Sequence, residues 1–364
     1  MSRITSLDCL RGLAIVGTLG TNTWTFSYLG GDLEVLFGPK EWWSDLNDFL
    51  LALTLYLTNG KFLGLLAILF GVGLQLQLRS AVRRGARFAP RYAWRNILLL
   101  GIGFIHFALV YGYDILMGYA LASLVVIGLA IGGRIHLISG IIVALVLHVL
   151  IYGLVCLVMD PSGHDPISDH VSQVLATGSY GETVWTRFNL ALYFRFEVIT
   201  LLGLNTVLMG LGVLLTRAGL FDGQENGRQL ARRLVIIGLA IGVPLNLASF
   251  YPDARVAMAA RYFFAPLMSL AYLGLGVLLL QAVRGPITRA LEVVGRTALT
   301  CYILQNLLAA IVFYGWGLGL KGQFNAPGTL MAWLLITLAY TAMMALWLRW
   351  FRQGPVEWAW RRLA

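Results

Sequence analysis

A histidine and a carboxylate lie close together in the sequence, at the end of a long apolar stretch. His106 falls late in that stretch, and Asp114 lies at the turn that leads into the next one. A histidine beside a carboxylate can act as a general base near neutral pH. Eight residues of helix would place the two side chains about 80° apart, so contact requires the turn to bend back. The alternative is structural, with His106 bonded to a backbone group and Asp114 capping the next helix.

A second polar set lies on the first apolar stretch. Arg11 and Asn22 are 11 residues apart, which is three helical turns plus about 20°. They therefore share a helical face, and Asp8, Thr18 and Thr25 fall near the same stripe. Ionisable groups inside membrane helices usually face the bundle interior or a watery cavity. An anchoring Asp8–Arg11 ion pair, with Asn22 as an interhelical hydrogen bond, is the alternative interpretation.

The last third of the chain carries a further polar group. Arg296 precedes an apolar stretch, and Gln305 and Asn306 lie within it. Hydrogen bonding between helices is the simplest role for the two amides.

Metal ligation is not expected. The run from Asp160 to His170 contains histidines and aspartates, but without the spacing of a helical metal site, and a solvated loop explains it better. We expect His136 and His148 to be structural, and neither a zinc site nor a disulfide framework from the cysteines Cys9, Cys156 and Cys301.

These residues are embedded in a strongly apolar chain. Of its 364 residues, 59% are hydrophobic and 12% are charged, and the mean hydropathy is +0.77, which excludes an ordinary soluble domain. Each apolar run is long enough to cross roughly 30 Å of hydrocarbon as a helix. We predict an all-α polytopic membrane protein, with one transmembrane domain over residues 1–364. Its ten or so spans are predicted at about 9–29, 59–78, 94–112, 115–132, 135–158, 196–216, 234–250, 262–282, 297–317 and 328–348.

Charge predicts the orientation. The net charge is +10, but the basic residues form short runs between apolar stretches, so we expect no nucleic-acid partner. An even number of spans places both termini on one side, and the side with most arginines is cytoplasmic. We therefore predict a multi-pass protein of a bacterial inner (plasma) membrane, in contact with membrane lipids. On this topology the cytoplasmic side carries Arg3, Arg79, Arg83, Arg84, Arg87, Arg91, Arg95, Arg134, Arg217, Arg228, Arg232, Arg233, Arg284, Arg289, Arg296, Arg349, Arg352, Arg361 and Arg362.

The opposite side has two longer, acidic loops. They cover about 30–48, where Lys40 is the basic exception, and about 159–195, and each could hold an interfacial helix. Trp42 and Trp43 are typical of an aromatic belt at the membrane surface. We expect the first span to remain as an anchor, because Asp8 and Arg11 interrupt its start, unlike a cleaved signal peptide.

Two glycine-containing segments are similar to each other. Residues 69–74 read Leu-Phe-Gly-Val-Gly-Leu and run to Arg79, and residues 208–213 read Leu-Met-Gly-Leu-Gly-Val and run to Arg217. A parallel internal repeat and a chance match are both open.

Five segments together carry a family resemblance. The chain resembles the YeiB-like family, whose C-terminal half is a domain of unknown function. The resemblance implies an N-terminal acyltransferase-like half at about 1–160 and a C-terminal half at about 196–364, with the outer loop between them. The segments are Arg3-Ile-Thr-Ser6-Leu7-Asp8-Cys-Leu-Arg11-Gly12, Gly60-Lys61-Phe62 through Gly73, Asp114-Ile-Leu-Met-Gly-Tyr119-Ala120, Gly295-Arg296-Thr-Ala-Leu299-Thr300-Cys-Tyr302-Ile-Leu-Gln305 and Gly354-Pro355-Val-Glu357-Trp358.

The opening Ser-Leu-Asp-x-x-Arg-Gly also resembles the transmembrane acyltransferase superfamily. Those relatives pass an acyl group from cytoplasmic acyl-CoA to a sugar on the far side, and a catalytic His follows their Arg after 11 residues. Here Arg11 matches, but position 22 is Asn, which cannot take up a proton near neutral pH. The resemblance then makes His106 the best remaining base, oriented by Asp114.

Three functions follow as hypotheses. The first is a membrane acyltransferase that uses acyl-CoA or acetyl-CoA and modifies an envelope glycan or lipid, with Arg11, Asn22, Asp8 and Arg296 binding the donor. The second is a lipid or small-solute transporter, and the third is a non-catalytic relative of the acyltransferases. A homodimer is compatible with each, and the sequence identifies neither the acceptor nor the acyl chain.

Overall fold

The computed structural model describes residues 5–39, 41, 43–280 and 285–363. The predictions for Arg3, Lys40, Trp42 and Arg284 lie outside these ranges. Within them the regular structure is helical, and a 3₁₀ turn at Leu247–Phe250 and a π segment at Ala260–Phe264 flank α13. The helices are α1 Thr5–Ser27, α2 Asp32–Phe37, α3 Leu46–Thr58, α4 Lys61–Arg83, α5 Ala89–Leu109, α6 Leu116–Ile131, α7 Arg134–Val158, α8 Pro166–Thr177, α9 Tyr180–Asn189, α10 Ala191–Thr200, α11 Leu202–Arg217, α12 Glu225–Asn246, α13 Ala254–Ala259, α14 Ala265–Leu279, α15 Pro286–Arg296, α16 Ala298–Phe313, α17 Ala326–Trp347 and α18 Pro355–Leu363.

Several of these helices are long and apolar enough to cross a bilayer. Six meet that description among the described residues, or eight if two bent helix pairs each form one span. The bent pairs are α10 with α11, at 41°, and α15 with α16, at 94°. The chain is thus an all-helical protein with the helices of a multi-pass membrane protein.

Helix α1 lies at the centre of the bundle. It is buried along most of its length and packs against α15, α16, α4 and α17. Gly12 and Gly295 allow the closest of these approaches. A Cβ on Gly12 would lie 2.0 Å from the Leu291 carbonyl oxygen, and one on Gly295 would lie 1.7 Å from that of Asp8. The opening motif and the Gly295-Arg296 motif therefore pack directly against each other.

The two similar glycine segments also pack together, on α4 and α11. A Cβ on Gly71 would lie 1.9 Å from the Met209 carbonyl oxygen, and one on Gly212 would lie 2.1 Å from that of Ile68. The contacts lead from residues 68–71 and 209–212 to residues 75–79 and 216–217, so the two helices run parallel. At its end Arg79 donates to the Thr216 carbonyl at 2.8 Å, and Arg217 donates to Gln75 at 3.0 Å. Small residues serve this kind of close contact between membrane helices.

Helix α7 lies at the edge of the bundle. It has the highest mean hydropathy of the candidate spans, 2.9, and only 11% of its most apolar window is buried. Hydrocarbon is the environment that such a surface requires.

Candidate active site

His106 and Asp114 are in direct contact. Helix α5 ends at Leu109, and the following turn folds back, so that His106 Nδ1 lies 2.9 Å from Asp114 Oδ1. Both residues are only 2% exposed. Asp114 Oδ2 accepts the backbone N–H of Met117 at 3.0 Å and so caps α6. The carboxylate therefore has both roles that the sequence suggested, as partner of His106 and as helix cap.

The carboxylate also determines which imidazole nitrogen is free. An ionised carboxylate only accepts hydrogen bonds, so the proton lies on Nδ1 of His106 and Nε2 is the acceptor. The ring of Tyr302 packs beside the imidazole, with 5.1 Å between the ring centroids. Its hydroxyl oxygen accepts the N–H of Ile115 at 3.2 Å, which ties α16 to the same turn.

Asn306 links His106 to the first helix. Its Nδ2 lies 3.4 Å from His106 Nε2 and donates to the Tyr302 carbonyl at 3.2 Å. Its Oδ1 accepts from Nδ2 of Asn22 at 3.2 Å. A chain of contacts therefore runs from Asn22 through Asn306 and His106 to Asp114. The sequence placed Asn306 only as a general hydrogen-bonding residue, because its partners lie on distant parts of the chain.

Two arginines hold the turn after α5. Arg187, which is 2% exposed, donates to the carbonyls of Ala108 and Val110 at 3.2 and 2.9 Å. Arg195 donates to the carbonyls of Gly112 and Asp114, and its guanidinium lies 4.1 Å from the centroid of the Phe107 ring. Arg187 therefore satisfies carbonyls that the end of α5 leaves unpaired, and Arg195 satisfies carbonyls of the turn that follows. Neither arginine had a role predicted from the sequence, although basic residues in a predicted acidic outer loop were a usable signal.

An arginine-rich cavity of about 690 Å³ opens at one end of the bundle. Asp8 and Arg11 lie on its wall, 3.3 Å apart, together with Arg296. Nε of Arg296 is buried and has no hydrogen-bond partner in the described chain. The wall also includes Arg91, Arg95, Arg361, Tyr119 and Tyr302, and an adjoining cavity of about 480 Å³ adds Arg84 and Arg87. We call these two spaces the inner cavity.

The C-terminal motif forms one wall of the inner cavity. Glu357 accepts the N–H groups of Leu299 and Thr300 at 2.8 and 3.1 Å, which caps the start of α16. Trp360 lies under the guanidinium of Arg95, 4.3 Å from the ring centroid, and its indole N–H donates to the Arg95 carbonyl at 2.9 Å. The cap explains why a glutamate belongs in this motif.

A second, larger cavity of about 870 Å³ is lined in part by the start of α8, and we call it the outer cavity. Asn22 and Ile115 lie on its wall, and Ile115 also lines the inner cavity. His106 lines neither space in the described structure, and it contacts Asn306 and the ring of Tyr302 instead. The His106–Asp114 pair therefore lies in the layer that separates the two cavities. Of the six predicted site residues, Asp8, Arg11 and Arg296 meet at the inner cavity, and Asn22, His106 and Asp114 meet through Asn306.

The helices and this layout define a class: a helical multi-pass membrane protein with a buried His–Asp pair between two cavities. The family described as "Protein of unknown function (DUF418)" matches residues 215–364. Uncharacterized protein YeiB of Escherichia coli (strain K12) is 32% identical, over 100% of this chain and 96% of its own length. Uncharacterized protein YxaH of Bacillus subtilis (strain 168) is 29% identical, over 99% and 93%. An uncharacterized 39.9 kDa protein in the amylase 3' region of Bacillus acidopullulyticus is 26% identical, over 99% and 93%.

These full-length similarities confirm the predicted family. The chain belongs to the YeiB family of DUF418 proteins.

Proposed function

We propose that the protein is a membrane acyltransferase that moves an acyl group from cytoplasmic acyl-CoA or acetyl-CoA to an envelope glycan or lipid. The observation that carries this proposal is the layout of the two cavities. They approach each other at Ile115, and the His106–Asp114 pair lies in the layer between them. A donor and an acceptor on opposite sides of a membrane require such an arrangement.

The proposal includes a topology. The arginine-rich inner cavity faces the cytoplasm of a bacterium, both termini lie on that side, and the protein resides in the inner membrane. Six single helices and two bent pairs give eight spans. Two more helices, α1 with 23 residues and α6 with 16, bring the number to ten if they also cross the membrane. Interior packing of α1 explains why a helix with Asp8 and Arg11 can cross.

The inner cavity fits the donor. Phosphate groups are bound well by arginine, and Arg11, Arg91 and Arg296 lie on one cavity wall. The unpartnered Nε of Arg296 supplies a further donor that a phosphate or carbonyl oxygen would satisfy. We propose that CoA phosphates bind here and that the thioester points toward Tyr302 and Ile115.

The proposed chemistry uses His106 as general base. Nε2 of His106 takes the proton of an acceptor hydroxyl while the hydroxyl oxygen attacks the thioester carbonyl carbon. The carbon–sulfur bond then breaks, and the CoA thiolate takes the proton back from the imidazolium. An ester and free CoA are the products. Asp114 holds the imidazole in the required tautomer and stabilises its positive charge.

In this step the acceptor hydroxyl must replace Asn306 as the group in contact with Nε2 of His106. The contact of Asn306 with His106 Nε2 is 3.4 Å long, beyond the usual range for a hydrogen bond between nitrogen and its acceptor. An acceptor hydroxyl can replace such a weak contact at little cost. Asn22 then has a positioning role, because it holds Asn306 and cannot itself act as a base.

The test compares envelopes of cells that lack the gene with those of cells that express it. We expect mass spectrometry to find a lipid or glycan whose mass rises by one acyl group only when the protein is present. Identical acylation patterns in both strains, with the protein confirmed in the membrane, would contradict the proposal.

Transport is the second candidate function, and the position of His106 off both cavity walls favours it. A base that neither of these two cavities reaches could instead belong to a gate between two alternately open cavities. Proton- or sodium-dependent solute uptake by reconstituted vesicles, without release of free CoA from acetyl-CoA, would support transport. Binding of acetyl-CoA, seen as a thermal shift of the purified protein, would support the enzyme.

A further inference from the structure

The mouth of the outer cavity is apolar and continuous with the outer face of α7. Val155 and Val158 of α7 and Leu192 and Phe196 of α10 line it. Val158 is 84% exposed and Leu192 is 85% exposed, although both are hydrophobic. Because α7 presents its other apolar side chains to the same surroundings, a hydrocarbon chain could pass from the bilayer onto these residues without crossing polar surface. We call Val155, Val158, Leu192 and Phe196 the apolar lip.

Polar groups without partners lie farther inside. Oδ1 of Asp32 and the hydroxyl of Tyr113 are buried on the cavity wall, and Tyr113 lies near enough to oppose the rise in the pKa of Asp32, but neither atom makes a hydrogen bond of normal geometry within the described residues. The backbone N–H of Asp32 is fixed by Ser168 Oγ at 2.7 Å, which holds the residue in place. Buried polar atoms are nearly always satisfied in folded proteins, by protein, water or ligand. A hydroxyl group can satisfy both atoms, because it donates to a carboxylate and accepts from a phenol.

The charge around the cavity excludes an anionic head. Arg261 is the one arginine or lysine among the lining residues of the described structure, beside the histidines His148 and His164, and its Nη2 is already bonded to Glu197 at 3.1 Å. An anion would meet a wall on which four carboxylates outnumber the single arginine. The acidic lining residues are Asp32, Asp160, Asp165 and Glu197.

We propose that the outer cavity binds a lipid whose hydrocarbon chain rests on the apolar lip and whose uncharged, hydroxyl-bearing head contacts Asp32 and Tyr113. This lipid is the acyl acceptor. Only that last assignment rests on the proposed acyl transfer, because binding of the lipid is a property of the cavity itself.

Photo-cross-linking tests the binding site. The full chain is reconstituted in nanodiscs that contain a monoglycosyl diacylglycerol with a diazirine in its acyl chain, and cross-linked peptides are mapped by mass spectrometry. We expect cross-links at Val158, Leu192 and Phe196 to exceed those at Leu147 and Leu150 several-fold. The latter two also lie exposed on α7 but do not line the cavity. Equal labelling of both groups would overturn the proposal.

Variants and a second probe test the head group. Asp32→Asn and Tyr113→Phe should each reduce cross-linking at the lip several-fold, and Tyr113→Phe removes only a hydroxyl, so the fold is retained. Phosphatidylglycerol with the same diazirine chain should label the lip no more than it labels Leu147. Unchanged labelling in both variants, or equal labelling by the anionic probe, would overturn the assigned head.

Radiolabelled acetyl-CoA, added to the same nanodiscs, separates this inference from the proposed function. Cross-linking at the lip without transfer of label to the glycolipid supports the binding site and contradicts acyl transfer. Transfer of label without enrichment at the lip contradicts the binding site and supports the enzyme.

Discussion

Asp114 contacts His106 through one carboxylate oxygen and caps α6 through the other, at 2.9 Å from Nδ1 and 3.0 Å from the Met117 nitrogen. The geometry of the base therefore depends on the start of the next helix. The two arginines from α9 and α10 that hold the turn make the arrangement rigid, since they satisfy four carbonyls of residues 108–114. A base held in this way needs no rearrangement of its own side chain to act.

Replacement of Asp114 by Asn should reduce acyl transfer without loss of the fold. The amide retains an oxygen for Nδ1 or for the helix cap, but it no longer stabilises a charged imidazolium. We expect at least about a hundredfold lower rate, the usual size of a general-base contribution. Radiolabel transfer from acetyl-CoA in membrane vesicles measures it, with the exposed Asp222→Asn as control. Wild-type rates in Asp114→Asn would show that the carboxylate is only a cap.

Gly295→Ala should destabilise the bundle. A Cβ at this position would lie 1.7 Å from the Asp8 carbonyl, so α1 and α15 must separate. We expect a loss of about 1–3 kcal/mol, as for other overpacked contacts, and a lower melting temperature in detergent. Gly101→Ala is the matched control, because a Cβ there meets nothing within 4 Å and alanine favours a helix. Equal melting temperatures for Gly295→Ala and wild type would contradict the packing.

Asn306→Leu should leave the buried Nε2 of His106 without its partner, and it also removes the partner of Nδ2 of the half-buried Asn22. An unsatisfied buried group costs about 1–3 kcal/mol, so the melting temperature should fall. The exposed Asn226→Leu serves as control. A loss in Asn306→Leu no larger than in the control would show that the chain of contacts does not stabilise the bundle.

Arg296→Gln should weaken donor binding. The loss of one charge-assisted hydrogen bond is worth about 1.5–3 kcal/mol, which corresponds to roughly 10- to 100-fold in Kd for acetyl-CoA. Isothermal titration calorimetry with the purified protein measures it, and the exposed Arg134→Gln controls for net charge. If both variants bind equally well, the inner cavity is not the donor site.

Asp32 should make stability depend on pH in an unusual direction. Burial raises the pKa of this carboxyl to about 6, although nearby Lys321 opposes the shift. Between about pH 4 and pH 6 the folded chain therefore binds more protons than the unfolded chain, and stability falls as the pH rises through that window. The difference between wild type and Asp32→Asn isolates the effect from other groups. Melting curves at pH 4 and pH 7 should show this difference grow in favour of Asp32→Asn, whereas a constant difference would contradict the raised pKa.

The sequence was most informative about the apolar stretches, where helical periodicity shows which polar residues share a face. Polar residues inside apolar stretches pointed to His106, Asp114, Asn22 and Arg11, because burial of such groups is costly. Apolar length predicted the membrane helices. The resemblance predicted the family, which the similarity to YeiB confirms.

Hydrogen bonds between residues far apart in the sequence could not be predicted from periodicity. The links from Asn306 to Asn22 and from Arg187 to the end of α5 join residues 284 and 79 positions apart. The predicted span at 297–317 begins within one residue of α16, but its 94° angle with α15 was not predicted. Backbone direction there depends on the packing of Gly295 against α1.

Label transfer by histidine variants tests directly whether His106 is the base of an acyl transfer. Inside-out membrane vesicles are given radiolabelled acetyl-CoA, and the label in lipid and glycan fractions is counted for wild type, His106→Ala and His136→Ala. His136 is exposed, so His136→Ala should incorporate as much label as wild type. His106→Ala should incorporate at least about a hundredfold less. Wild-type incorporation by His106→Ala would contradict the account.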